Sequence, residues 1–270
     1  MARTVLLNLM LGYLLVATGP ALAAPGDPFG GDDTGCVPST KLGLSCAKKV
    51  GTVVFKLKRA VLKCHLTQAE LAFKTGHSSP GFDNSEENCE VGNPSNSAKA
   101  KFDDKIAQYA VRGCSATVIA NANTTRDAIL ADQNTAGSFD ELNGYFFCDS
   151  ASGALIADTT GADQDEGGWI PNTPENFKCS VAVAKAWSKL DGYVLKCHQK
   201  MAAYGFKGTS VFDEESCENL ALSKYDAAVN KYVSGGICPP CLASNGPALG
   251  PASVATADAN LEDVYVCPGP

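Results

Sequence analysis

Apolar positions along this chain fall into long stripes with helical spacing. From Cys179, the residues Val183, Ala186, Leu190, Tyr193, Cys197, Met201 and Tyr204 follow at intervals of three or four, which holds them on one face of a helix. Thr173 suits the N-cap of that helix, Pro174 its first position and Glu175 the positive end of its dipole. Gly205 is the predicted stop. Earlier in the chain Cys46, Val50, Val53, Leu57, Ala60, Cys64 and Leu71 fall on the same grid, ended by Gly76. Two further stripes follow: Ala98, Phe102, Ile106, Tyr109 and Ala110 before Gly113, and Ala221, Tyr225, Ala228, Tyr232 and Val233 before Gly235 and Gly236. Another helix is predicted from Thr125 to Gln133. The fold class is therefore all-α.

The stripes belong to an internal repeat. Val61-Leu62-Lys63-Cys64-His65 recurs as Val194-Leu195-Lys196-Cys197-His198, and each copy leads to an acidic cysteine, Glu86-Glu87-Asn88-Cys89-Glu90 or Glu214-Glu215-Ser216-Cys217-Glu218. A Lys-aromatic-Asp run comes next, Lys101-Phe102-Asp103 or Lys224-Tyr225-Asp226, then a tyrosine, Tyr109 or Tyr232, and a Gly-Cys boundary at Cys114 or Cys238. Repetition of this length predicts two copies of one structural unit. A short connection between two helices makes them antiparallel neighbours. The expected architecture is two tandem disulfide-stapled antiparallel helical hairpins with short irregular tails, spanning 36–149 and 173–270. Residues 150–172, rich in Gly, Asp and Thr, read as an acidic linker. Residues 24–35 read as a flexible N-terminal segment, and Gly246 to Pro251 as loop.

Cysteine usage changes this picture from two marginal hairpins to two stapled ones. The chain has 12 cysteines, an even number, and in an oxidising compartment they read as a disulfide framework. Each long helix carries two cysteines on one face, roughly 27 Å apart along the axis. Antiparallel packing then predicts nested bridges, Cys46–Cys114 with Cys64–Cys89 and Cys179–Cys238 with Cys197–Cys217. The adjacent Cys241 leaves the partner of Cys179 open. Proximity in sequence assigns the tails as Cys36–Cys148 and Cys241–Cys267. Gly92-Asn93-Pro94 breaks the helix in the first copy and places Cys89 on a loop.

The first 23 residues read as a signal peptide: Arg3 supplies a basic start, Val5 to Thr18 is mostly apolar, and Ala21-Leu22-Ala23 is a cleavage site. Removing Arg3 leaves 21 Lys and Arg against 29 Asp and Glu. That acidic balance argues against nucleic acid or an anionic membrane surface as partner. No other stretch is long and apolar enough to span a membrane. The expected location is periplasmic or extracellular.

Candidate chemistry is sparse. The doubled Cys64-His65 and Cys197-His198 resemble half of a haem-attachment motif, with Val61 and Val194 where a second thiol would stand. If these cysteines are bridged, the histidines lie one position off the stripe and are expected to be exposed. Cys238-Pro239-Pro240-Cys241 has dithiol spacing but follows a helix C-terminus, whose dipole disfavours a thiolate. Asp163 and Asp165 alternate as in a calcium loop, yet Pro174 occupies the position where the bidentate acid belongs. Glu86, Glu87, Glu214 and Glu215 lie at helix N-termini, where acids are expected on dipole grounds. Neither a convergent nucleophile and base nor a phosphate loop is present.

The pattern Cys-(17)-Lys-Cys, acidic-Cys, Lys-Phe/Tyr-Asp, Gly-Cys resembles tandem Cys-rich helical-hairpin repeat proteins exported by environmental bacteria. The resemblance covers about 46–114 and 179–238 and implies an exported, periplasmic or extracellular protein; it brings no activity with it. The residues together predict a non-enzymatic exported protein without cofactor, binding a protein or surface partner through duplicated helical units. An electron-transfer or metal protein using Cys64-His65 and Cys197-His198, and a carrier of a small apolar ligand, are the alternatives.

Overall fold

Thr40 sets the start of the first long helix. Its backbone is extended and its hydroxyl accepts a hydrogen bond from the Gly43 amide, the standard satisfaction of an orphan helix donor. The helix, α1, runs Lys41–Thr75 and stops at Gly76, whose φ of 77° only glycine adopts without strain. The structure, a computed structural model, describes residues 23–131, 138–156, 167–208 and 212–268. Residues 1–22 of the expected signal peptide, Asp163 and Asp165 lie outside the described residues.

After α1 come α2 (Pro80–Glu87), a π-helical turn over Asn88–Gly92, α3 (Ala98–Val111), α4 (Ala116–Ile129) and α5 (Phe139–Phe146). The second half contains α6 (Pro174–Lys207), α7 (Glu214–Val233) and α8 (Pro240–Ala259), followed by a 3-10 turn over Leu261–Asp263. Two small antiparallel ribbons complete the described residues, β1 (Pro28–Gly30) with β2 (Asp33–Cys36), and β3 (Ala154–Leu155) with β4 (Trp169–Ile170). The class is all-α.

Thr173 caps α6 as expected, but α6 runs past Gly205 to end at Gly208 in the left-handed region. The helix expected over Thr125 to Gln133 is shifted towards the N-terminus, because Ser115 caps α4 and opens it at Ala116. Gly246 to Pro251 lies inside α8 despite Pro247 and Pro251. Packing supplies what local propensity lacks: the buried Tyr225 hydroxyl donates to the Gly246 carbonyl at 2.6 Å, and Gly250 lets the helix ride against the Tyr225 ring. The N-terminal segment expected to be flexible forms β1 and β2.

Helices α1 and α6 cross antiparallel along much of their lengths. Gln199 donates to the Lys48 carbonyl at 3.2 Å, Lys58 pairs with Asp191 at 3.3 Å, and Phe73 stacks on Phe177 with centroids 4.4 Å apart. Gly51 lies against Leu195 and Gly192 against Phe55. One apolar core runs through both halves, from Val50, Leu57 and Phe102 to Val183, Leu190 and Tyr225. Trp187 sits edge-on to both Phe139 and Phe146. The segment 150–172 contributes Ile156 and Ile170 to that core.

Six disulfides frame the molecule and no cysteine is free. Cys46–Cys114, Cys64–Cys89, Cys179–Cys238 and Cys197–Cys217 form the nested pairs within the hairpins. Cys89 sits in the π-helical turn rather than on a loop. The tail assignments Cys36–Cys148 and Cys241–Cys267 are corrected to Cys36–Cys267 and Cys148–Cys241. Proximity in sequence failed there because loop closure costs grow only slowly with length, while packing fixes the neighbours. The Cys36 amide donates to the Tyr265 carbonyl at 2.8 Å, which lays β2 against the chain end. Cys241, in the first turn of α8, faces the end of α5.

Each bridge typically contributes about 2–4 kcal/mol, mainly by restricting the unfolded chain. Complete reduction with the thiols blocked is therefore expected to unfold the protein at moderate temperature, read as loss of helical circular dichroism. An unchanged melt with all thiols free would overturn the account. At Gly250 a methyl group would stand 2.6 Å from the Tyr225 ring. Tyr225 is buried and held by its hydroxyl, so Gly250→Ala is expected to destabilise by about 1–3 kcal/mol through overpacking, against the usual helical preference for alanine; denaturant melts check the sign.

Candidate functional site

Both histidines of the repeated Val-Leu-Lys-Cys-His are buried, His65 at 0% exposure and His198 at 2%. The expectation that they would be exposed is corrected. In each copy the disulfide cross-links the residue before the histidine to the residue before a glutamate. Cys64–Cys89 brings His65 to Glu90, and Cys197–Cys217 brings His198 to Glu218. The ring cannot turn to solvent because the bridge fixes its helix against the acidic segment.

The second copy builds the fuller constellation. His198 Nε2, on α6, lies 3.0 Å from Glu218 Oε1, 3.1 Å from Asp258 Oδ1, 3.3 Å from Glu214 Oε1 and 3.4 Å from Asp33 Oδ1. Glu214 and Glu218 come from successive turns of α7, and the i, i+4 spacing sets them on one helix face. Asp258 comes from the last turn of α8 and Asp33 from β2. Cys36–Cys267 and the bond from the Thr34 hydroxyl to the Asp258 carbonyl hold β2 in place. All four carboxylates are nearly inaccessible to solvent. The facing oxygens of Asp33, Glu214 and Glu218 make no hydrogen bond.

The first copy is built alike with fewer acids on one ring atom. His65 Nε2 lies 3.2 Å from Glu90 Oε1 and 3.3 Å from Asp140 Oδ1, and Nδ1 lies 3.7 Å from Glu86 Oε1. Glu86 ends α2, Glu90 sits in the π-helical turn, and Asp140 lies in the first turn of α5 behind its Ser138 cap. A buried Gln68 amide donates to Asp83 at 2.7 Å nearby.

Electrostatics separates the copies. Burial pushes His65 down to about 3, which leaves the ring neutral and its nitrogen lone pair available. Burial also opposes charge on His198, but the close carboxylates of Asp258, Asp33 and Glu218 outweigh it and carry the ring up to about 11. Burial, and then the neighbouring Glu218, push Glu214 up to about 9. Asp258 is raised by burial as well, with His198 pulling the other way. One imidazolium cannot neutralise four buried acids, and uncompensated buried charge is costly.

Each histidine–carboxylate separation is one that two donors keep when they share an ion. Donors about 2.1 Å from a common first-row divalent ion stand about 3.0–3.4 Å from one another in octahedral or tetrahedral arrangement. His198, Asp33 and Glu214 offer atoms within 4.8 Å of one another, as do His198, Glu218 and Asp258, and as do His65, Glu90 and Asp140.

The bridges expected at Cys64 and Cys197 are present, and the alternative sulfur chemistry is not. Cys64 and Cys197 are bridged, so neither is a thiolate ligand or a haem attachment point. Cys238 and Cys241 bond to Cys179 and Cys148, so they are not a redox pair. The acids themselves were legible as Glu-x-x-Cys-Glu in both copies, but dipole logic accounted for them. Their adjacency to bridged cysteines was the signal to use. Asp33, Asp140 and Asp258 carry no such signal, since each reaches its histidine from a distant segment.

Among the described residues no helix is long and apolar enough to cross a membrane, and six disulfides fit export to an oxidising compartment. No family model, no curated protein and no solved structure matches the chain.

Proposed function

We propose that this exported, disulfide-framed protein binds divalent metal ions at two buried sites, one in each copy of a duplicated helical unit, in a structural rather than catalytic role. The observation that carries the reading is His198 Nε2 within 3.4 Å of four buried carboxylate oxygens. A divalent cation there supplies the positive charge that the burial demands and accepts the imidazole lone pair. Mixed imidazole and carboxylate donors suit Mn²⁺, Fe²⁺ or Zn²⁺ better than the all-oxygen shells of Ca²⁺ and Mg²⁺.

Burial of every donor argues for a closed site. A catalytic metal keeps a position open to substrate, whereas a structural one is enclosed by protein ligands. Each site also ties separate elements together, α6, α7, α8 and β2 around His198, and α1, α2 and α5 around His65. Binding to the native state alone stabilises it by mass action, about 2.7 kcal/mol when free ion exceeds Kd a hundredfold.

Elemental analysis of the oxidised protein, after dialysis against Mn²⁺ or Zn²⁺ and removal of free ion, is expected to find two ions per chain. Chelation should lower the melting temperature and reloading restore it. His198→Ala and His65→Ala are each expected to remove one ion, while His77→Ala, at an exposed ring, keeps both. Wild-type protein with no retained metal and a melting temperature indifferent to chelator would show that protons alone compensate the acids, and would end the proposal.

A further inference from the structure

A surface groove of about 1240 Å³ lies between α1 and α6, and neither His65 nor His198 lines it. Its walls are basic in a chain whose net charge is −7. Lys56, Arg59 and Lys63 line one wall, at helical intervals of three and four; Lys178, Lys185, Lys189 and Lys196 line the other, at intervals of seven, four and seven. Such spacing sets each row along a single helix face. All seven side chains are exposed, and among the described residues none lies within ion-pair distance of an acid. Glu70 is the one acid on the walls among the described residues; Lys74 engages it at 2.7 Å and Lys185 attracts it more weakly.

Between the rows lie aromatic and aliphatic surfaces, Phe55, Leu66, Phe177 and Val181, and Tyr193 lies on the far side of the α6 row, towards α7. The Tyr193 ring is flanked by the ammonium groups of Lys196 at 5.3 Å and Lys224 at 4.8 Å. The α6 row runs along roughly 27 Å of helix and the α1 row along roughly 10 Å.

From this juxtaposition of two cationic rows with an apolar, ring-lined floor we infer that the groove binds a single strand of an acidic polysaccharide, its carboxylates on the lysine rows and its sugar faces on the aromatic floor. Like charges this close are unfavourable unless a partner supplies the counter-charge. A lipid or other small anion carries one charged end and leaves most of both rows unmatched. A polymer with a charge on each sugar can meet several charges of both rows at once. The acidic remainder of the protein repels the denser charge of nucleic acid or polyphosphate, and an exported protein meets acidic polysaccharide outside the cell. The inference is independent of the metal sites.

The test uses the full oxidised protein and a galacturonate octasaccharide, with neutral dextran fragments, polyphosphate and single-stranded DNA compared by calorimetry at two salt concentrations. The octasaccharide is expected to bind, to weaken with salt, and to lose affinity by about ten-fold or more in Lys185→Glu/Lys189→Glu. Lys49→Glu, an exposed charge outside the groove, should leave it unchanged. Circular dichroism of each variant confirms that it is folded. Failure to bind the octasaccharide above dextran, equal weakening by both variants, or tighter binding of polyphosphate or DNA would each overturn the assignment.

Discussion

Two disulfides, Cys64–Cys89 and Cys197–Cys217, do more than staple helices. Because a histidine follows the first cysteine of each bridge and a glutamate follows the second, the covalent bond forces an imidazole against a carboxylate in the interior. Left to itself, that pairing would be unfavourable: both groups lose water, and ordering two long segments round them costs conformational entropy. The bridge removes much of that cost by holding the segments together in the unfolded chain too. The rest of the site assembles on this pair. Asp140 or Asp258 closes from a further helix, and Asp33 is drawn in by the bridge between the chain ends.

The crossing of α1 and α6 is the second organising contact. Its interior face carries Leu57, Val61, Leu190 and Val194, and its outer face carries the basic rows. A single helix pair therefore separates two environments of opposite character. Inside lie the buried acids, with His65 and His198 pointing from the same helices; outside lies the exposed positive groove. Helical periodicity makes this possible, since neighbouring residues such as Lys63, Cys64 and His65 project in different directions.

The two halves are joined too closely to behave as beads on a linker. One core passes through both, Cys148–Cys241 and Cys36–Cys267 cross between them, and Ile156 and Ile170 of the connecting segment are buried. The halves also differ in detail. The second hairpin has one continuous helix, α7, where the first is broken into α2, a π-helical turn and α3. That break follows from Gly92-Asn93-Pro94.

By itself the sequence determined the class, the two long helices with the Thr173 cap and the Gly76 stop, and three of the nested bridges, with the partner of Cys179 narrowed to Cys238 or Cys241. Each rests on local physics: the 3.6-residue period, a Thr or Ser hydroxyl meeting an amide, and the fixed rise of a helix between two cysteines. Only tertiary structure decided the pairing of Cys36, Cys148, Cys241 and Cys267, because strand β2 lies on the C-terminal segment for reasons of packing that no spacing encodes. It decided equally that α8 is a helix, since Tyr225 and its neighbours stabilise a proline-containing segment from outside. And it decided the fate of His65 and His198. A residue one step off a stripe is exposed on an isolated helix, but here α2, α5, α7 and α8 cover that flank and bring acids to it.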